Sequence, residues 1–470
     1  MSTPTSPISF RRTCLAAFLL ALSGCASFTG TQYAAPQTGM PSAWHHASPA
    51  GATLDAWWQS YGDEQLNALI AEALARNADL AAAAIRIRIA RLNLGLQGEA
   101  MMPTLSASAG SSASKSLKDN DGTLTRSHSV SASLSWEVDL WGRLAAARDA
   151  AQWELQATLQ DRQSAALALV GDVARNYWQI AFLNERIRLS DASIAYAGKT
   201  LALARIRYQA GAVSRIDLLQ AEQSLASQRA AHSAYLGELE QARTALALLL
   251  GGPPSKNISE AQTLPAGELP IVEGGLPASL LSRRPDLQAA ELRLRESLAT
   301  ADNSRLAYYP DLTLTGTAGS ASERLRKVLE NPVGSLAAGL TLPFLQYSEM
   351  HLRTGVSRAE YELAVVQYRQ ALYAALGDVE NALSARQQYI TQGGHIALSL
   401  DRAEAAEKIN ETRYRAGSIP MQTWLDSQET LRSAQASMLQ NRYDQLGAQI
   451  TLNLALGGGT EALAGQQKTK

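Results

Sequence analysis

The sequence predicts a mostly α protein with a transmembrane β-barrel, built from two internal repeats of long helices plus a β-hairpin. Three observations predict it. Landmarks recur at a constant spacing of 206 residues, proline-free helical tracts are too long for one globular core, and four alternating segments are long enough to cross a bilayer.

Gly171-Asp172-Val173 returns as Gly377-Asp378-Val379. Arg207-Tyr208-Gln209-Ala210-Gly211 returns as Arg413-Tyr414-Arg415-Ala416-Gly417, and Leu246 to Gly252 returns as Leu452 to Gly458. The constant offset leaves no insertion between these landmarks. Each copy reads as a long helix, a break at Tyr-x-x-Gly (Tyr208, Gly211 and Gly417 mark the two) and a second helix stopped by Gly-Gly.

In chain order, residues 1–24 form a leader. Arg11 and Arg12 supply its positive end, and Leu15 to Leu22 form an apolar run too short to span a bilayer. Leu22-Ser23-Gly24-Cys25 resembles a bacterial lipobox, which implies cleavage before Cys25, a diacylglycerol on its thiol and N-acylation of the new terminus. Cys14 leaves with the leader, so the mature chain keeps one Cys and forms no internal disulfide. Ala26, where an Asp would resemble an inner-membrane retention signal, fits release to the outer membrane. Without Arg11 and Arg12 there are 40 basic against 43 acidic residues, which argues against nucleic acid as a partner. With 5 Phe among abundant Ala, Leu, Gln and Arg, the composition suits long, narrow helices.

Residues 25–63, broken by Pro36, Pro41 and Pro49, read as an acylated tether leading past Trp57-Trp58. A helical pattern runs from about Glu64 to Ala100, with Leu66, Leu69, Ile70, Ala73 and Leu74 on one stripe. At Pro103 the period becomes 2, opening a β-hairpin over 103–140. Val130, Ala132, Leu134, Trp136, Val138 and Leu140 face one way; Ser129, Ser131, Ser133, Ser135, Glu137 and Asp139 face the other. A second hairpin follows over 310–344. Trp136, Trp141, Tyr308, Tyr309, Phe344 and Tyr347 lie near strand ends, as interfacial aromatics would. Four strands cannot close a barrel, and an open edge is not tolerated in lipid. A water-filled lumen needs more than about 8 strands, so three chains, giving twelve, is the economical answer.

Long helical hairpins are expected over 144–250 and 350–456, joined by a Pro/Gly-rich crossover over 253–278 and followed by a flexible tail from 459 to 470. Leu144 to Tyr208 is 65 residues, about 97 Å as one helix. Leu218, Ala221, Leu225, Gln228, His232, Tyr235, Leu239, Ala242, Leu246 and Leu249 keep a 3-4 spacing, and the positions 206 further on are again mostly apolar. That is a coiled-coil seam.

Trp57-Trp58, Trp136 to Arg143, the first Tyr-x-x-Gly break, Arg283-Arg284-Pro285-Asp286, the second Tyr-x-x-Gly break and Leu456-Gly457-Gly458-Gly459, in this order, resemble the TolC-like outer membrane factors, in the lipoprotein branch that includes OprM- and NodT-like proteins. Tyr347-Ser348-Glu349-Met350 departs from the Gly-Gly pair common in relatives after Leu342-Pro343-Phe344. The resemblance implies a homotrimer with a twelve-stranded outer-membrane barrel and a twelve-helix periplasmic tunnel. It further implies a tripartite efflux system, of RND type, in which a periplasmic adaptor and an inner-membrane transporter dock on tunnel tips that are otherwise closed. Asp426 matches an acidic constriction ring, with Gln220 at the same place in the first copy. Tyr414 and Asp217 match a pair tying neighbouring hairpins. Cargo is not readable: drugs, aromatic compounds and metals share such ducts, as does type I secretion.

Enzymatic readings find little support. His45-His46 is the only close histidine pair, no Gly-rich loop precedes a helix, and Glu137 and Asp139 belong to lumen or bend. No cofactor or metal is expected beyond the acyl groups on Cys25. The rivals are a coiled-coil structural lipoprotein without a pore and a stand-alone diffusion porin.

Overall fold

The computed structural model describes residues 30–37, 39–46, 56–115, 124–254, 258–272, 275 and 277–459. Cys25, residues 116–123 between the strands of the first hairpin, and the tail beyond Gly459 lie outside them. The elements are α1 (Glu64–Arg76), α2 (Ala78–Glu99), β1 (Thr104–Ser114), β2 (Thr125–Val138), α3 (Arg143–Gln209), α4 (Arg215–Leu249), α5 (Leu280–Arg283), α6 (Pro285–Leu306), β3 (Asp311–Ser322), β4 (Val333–Thr341), α7 (Tyr347–Arg415) and α8 (Met421–Ala455). The described residues form two compact units, one drawn from within 1–38, 85–159 and 289–370, the other from within 39–84, 160–288 and 371–470. Each draws on both sequence repeats.

The first unit holds one antiparallel sheet, ordered β1-β2-β3-β4. Its register puts Leu105 opposite Leu134, Leu134 opposite Gly316 and Gly316 opposite Leu336; the next row is Ala107, Ala132 and Ala318. The alternating apolar residues of all four strands therefore share one face. Ser106, Ser133, Thr317 and Ser335 line up on the other. Neither face is covered: Leu336 is 93% exposed, and the outer edges of β1 and β4 pair with no described strand.

The acids that end the polar face, Glu137 and Asp139, serve the bend into α3. Glu137 accepts from Arg143 Nη2 at 2.5 Å, and Asp139 accepts the Ala145 N–H at 2.8 Å, close to the positive start of the helix. Gly142, at φ 81°, makes the turn. The second hairpin bends differently. A 3-10 turn over Pro343–Leu345 leads straight into α7, so Tyr347-Ser348-Glu349-Met350 is its first helical turn, and no glycine is needed. In this unit Thr31 also donates its N–H and hydroxyl to Asp302 at 2.6 and 2.7 Å.

In the second unit Trp57, Leu66 and Ile70 pack with Val173, Tyr177 and Ile180 of α3 and Leu246 of α4. A matching cluster joins Leu280 and Leu287 to Leu372, Val379 and Leu452. The 3-4 seam of α4 is buried or half-buried throughout; in α8 only Met438, 37% exposed, escapes. Trp44 donates to the Gly275 carbonyl, and Glu380 accepts the N–H groups of His45 and His46.

The helix expected to run unbroken from Glu64 to Ala100 is broken at Asn77. Its backbone is extended, and its amide is used at both ends. Nδ2 donates to Leu249 O at the end of α4, while Oδ1 accepts the N–H groups of Asp79 and Leu80 at the start of α2. One side chain thus satisfies orphan groups of two abutting helix ends. The second repeat makes the same splice with charge. Arg284 donates to Ala455 O and pairs with Asp286 and Asp378 at 2.7 and 3.2 Å. Gly251 and Gly457, at φ 66° and 71°, close the two joints against Arg76 O and Arg283 O.

Burial alone would raise the Asp286 carboxyl, but Arg284 outweighs it and holds the group below its ordinary value. A depressed pKa stabilises above the unfolded value and loses that contribution as pH falls through the folded one. Melting temperature is therefore expected to drop below about pH 4. Asp286→Asn is expected to melt lower already at pH 7 and to respond less to acid. A variant with wild-type melting at pH 7 would remove this pair from the joint.

Candidate functional site: the two helix tips

Both tips end the same way. At the first, Gly211 N–H bonds to Tyr208 O and Ala212 N–H to Arg207 O; at the second, Gly417 N–H bonds to Tyr414 O and Ser418 N–H to Arg413 O. Each is a Schellman closure over a glycine with positive φ, 72° and 75°. Beyond the turn the copies diverge. Ser214 and Asp217 form a reciprocal capping box that starts α4, whereas α8 starts on Pro420 with no side-chain cap.

The tyrosines diverge as well. Tyr208 is 40% exposed and Tyr414 only 2%. Tyr414 lies flat on Trp424, ring centroids 4.9 Å apart, and the Arg207 guanidinium sits over it at 4.7 Å. Arg207 reaches from the end of α3 to cap α7, donating to Tyr414 O at 2.9 Å and Arg415 O at 2.6 Å, where the helix dipole favours a cation. Burial raises the Tyr414 phenol; Arg207 works against the shift and Asp217 adds to it.

The expected residues are brought together only in part. Asp217 lies close enough to act on Tyr414, yet within the chain its carboxylate bonds to Ser214, and Tyr414 Oη has no hydrogen-bond partner among the described residues. Asp426 is exposed on α8 and accepts from Gln422 of the same helix at 2.6 Å. Gln220 is half-buried on α4. Sequence reasoning missed Arg207, Tyr196 and Glu407. The buried carboxyl group of Glu407 accepts from Tyr196 Oη at 2.6 Å and Trp424 Nε1 at 3.0 Å, pinning α8 to α7 and α3. Burial, and then Glu407, pushes the Tyr196 phenol far above its ordinary value, so it stays a donor. The readable signal was a break in the repeat: Glu407 and Trp424 stand where the first copy has Leu201 and Leu218.

The sequence profile of the outer membrane efflux protein family matches residues 69–252 and 276–458, one stretch in each repeat. The chain belongs to the outer membrane efflux protein family. Pyoverdine export outer membrane protein OpmQ of Pseudomonas putida is 32% identical over 463 residues, covering 96% of this chain and 98% of that protein. The toluene efflux pump outer membrane protein TtgC of another P. putida strain is 27% identical over 96% of both chains. The MtrE outer membrane channel of Neisseria gonorrhoeae, solved in its open state, superposes with a TM-score of 0.81 at 26% identity over 92% of this chain and 98% of that one. As an outer membrane efflux protein, the chain is a transport component of the outer membrane. Among the described residues, no helix is long and apolar enough to cross a membrane.

Proposed function

We propose that three copies of the chain form the exit duct of a tripartite efflux system, with a twelve-stranded barrel in the outer membrane and a twelve-helix tunnel in the periplasm. The duct is anchored through an acylated Cys25. It receives small toxic organic compounds or drugs from an inner-membrane transporter through a periplasmic adaptor. OpmQ and TtgC are named for exporting small organic compounds, which favours that cargo class. The observation that carries the reading is the sheet. Its apolar and polar residues are sorted onto opposite faces, and among the described residues nothing pairs with either outer edge, as a lipid-facing, water-filled barrel requires once further strands complete it.

The helix tips are the proposed gate. Three Asp426 carboxylates near a threefold axis would repel one another and attract cations. Single-channel recording in planar bilayers tests this. Wild type is expected to be mostly closed and cation-selective, and Asp426→Asn to lose cation selectivity and block by multivalent cations. Unchanged selectivity would place the constriction elsewhere.

Tyr414 Oη has no partner among the described residues of its own chain, so Tyr414→Phe is expected to leave melting unchanged yet raise conductance, by removing a bond to Asp217 of a neighbouring hairpin. Conductance equal to wild type would refute the tie. Cys25→Ala is expected to abolish lipid labelling, and continued acylation of that variant would refute the anchor.

A further inference from the structure

Resting on the barrel reading above, we propose that the outer rim of the sheet is a binding belt for phosphate-bearing lipid, built on Arg126 and His128. It stands where a second aromatic girdle would otherwise be.

The two ends of the sheet differ in chemistry. α2 and α6 lead into β1 and β3, and β2 and β4 lead into α3 and α7. All four helices thus meet one end, which faces the periplasm in the barrel reading. The strand-end aromatics, from Trp136 to Tyr347, all lie at that end, and Trp136 is fixed there by donating to Met101 O at 3.0 Å. Residues 109–131 and 319–334 hold both turns of the other end and contain no Phe, Trp or Tyr. They carry six Lys and Arg against four Asp and Glu. Membrane barrels have aromatic girdles at both interfaces, so this outer rim meets the headgroups with other chemistry.

The register puts two of its cationic-type side chains on the lipid side. Arg126 pairs with Ala113, and His128 stands between Ser111 and Ser322. By alternation both share the face of Val130, Ala132 and Leu134, while Ser127 and Ser129 take the lumen side. Height agrees with this. Val138 to His128 is ten residues, which at about 3.4 Å each and a tilt of about 40° rise about 26 Å, the depth of a barrel's apolar band. The apolar face ends at that row, and Arg126 lies one row beyond it. An arginine facing lipid is costly at the midplane and tolerated near the interface.

Arg126 is exposed and has no ion-pair partner among the described residues. Neither have Arg324 and Arg326 of the β3–β4 turn. Arg324 lies two residues beyond Ser322, as Arg126 lies two beyond His128 on the neighbouring strand. Of the described acids at this end, Glu330 is taken by Lys327 at 3.1 Å, which leaves Glu323 against three arginines. A guanidinium fork matches two oxygens of one phosphate. On the lipid face at headgroup height, that phosphate belongs to a lipid. A soluble anion would arrive from the lumen side, where the same rows carry Ser112, Ser127 and Ala321. Lipids with uncompensated phosphates are favoured over zwitterionic ones, whose own cation competes for the phosphate.

The test uses the full-length protein purified as a trimer in detergent. Diphosphoryl lipid A is the probe, its dephosphorylated form and phosphatidylcholine are the comparisons, and native mass spectrometry counts the bound lipid. Wild type is expected to retain the diphosphoryl form several-fold over both comparisons. Arg126→Ser is expected to weaken that retention about fivefold. Arg126→Trp with His128→Tyr, which rebuilds an aromatic girdle, is expected to keep the trimer and abolish the preference. Arg324→Ser with Arg326→Ser lies outside the strand ladder, so it reads the belt without depending on β2 folding; it is expected to weaken retention likewise. Arg402→Ser, an exposed cation far along α7, is expected to bind as wild type does. A trimer that retains all three lipids equally, or keeps its preference in the β2 and turn variants alike, overturns the belt and leaves the barrel reading standing. A monomer overturns both.

Discussion

Gly251→Ala is expected to melt far below wild type, and Gly457→Ala nearly as far. Both positions have positive φ, which costs a side chain about 1–2 kcal/mol. Both also lack room. A Cβ at Gly251 would lie 2.4 Å from Arg76 O and one at Gly457 2.7 Å from Arg283 O, and backbone cannot swing aside as a side-chain end can. Gly211 is the control, because it has φ 72° but nothing within 4 Å of an added Cβ. Gly211→Ala should therefore lose only the conformational part. Thermal unfolding followed by circular dichroism distinguishes the cases. If Gly251→Ala melted no lower than Gly211→Ala, the helix ends would not be tightly abutted.

The second large effect is expected at Trp424. Trp424→Ala removes the stack under Tyr414 and the edge contact to Tyr196, and takes one of two donors from Glu407. Emptying a buried site of this size costs about 3–5 kcal/mol. Leaving a buried acceptor short of a donor adds about 1–3 kcal/mol. Trp424→Phe keeps a six-membered ring against Tyr414 but loses the N–H and part of the buried ring volume, so it should fall between wild type and Trp424→Ala in stability. In bilayers, Trp424→Ala should also be the leakier channel, since Tyr414 would lose the surface that holds it. Equal melting of Trp424→Phe and wild type would show that Glu407 does not need the indole.

The strands were legible because period-2 alternation is a local signal. Leu134 and Trp136 face the same way whatever they pair with, and the register then aligned them with Leu105 and Leu314. The long helices were legible for a similar reason: their 3-4 seam runs over ten positions in each copy. The break at Asn77 was hidden. Leu66, Ile70 and Ala73 lead toward Leu80 and Ala83 at helical spacing, and nothing nearby reveals that the Asn77 amide belongs to Leu249, 172 residues away.

The tips show the same limit more sharply. Tyr414 and Asp217 could be singled out by motif, but the partners that hold Tyr414, Arg207 and Trp424, are set by three helices meeting. Arg207 looks like the ordinary repeat-mate of Arg413 in the sequence; only the fold shows it capping a helix from the other copy.

The splices give the chain a mechanical asymmetry. α3 and α7, at 67 and 69 residues, are one-piece spars whose every internal turn carries the hydrogen bonds that resist flexing. Where α4 gives way to α2, and α8 to α6, no backbone crosses from one helix to the other; a side chain and a glycine close contact hold the joint. Such a joint can pivot without breaking a helical ladder. The two pivots are also tuned differently, one by a neutral amide and the other by Arg284 between Asp286 and Asp378. Salt and acid should loosen the charged pivot first, so a duplicated scaffold would flex on one side before the other.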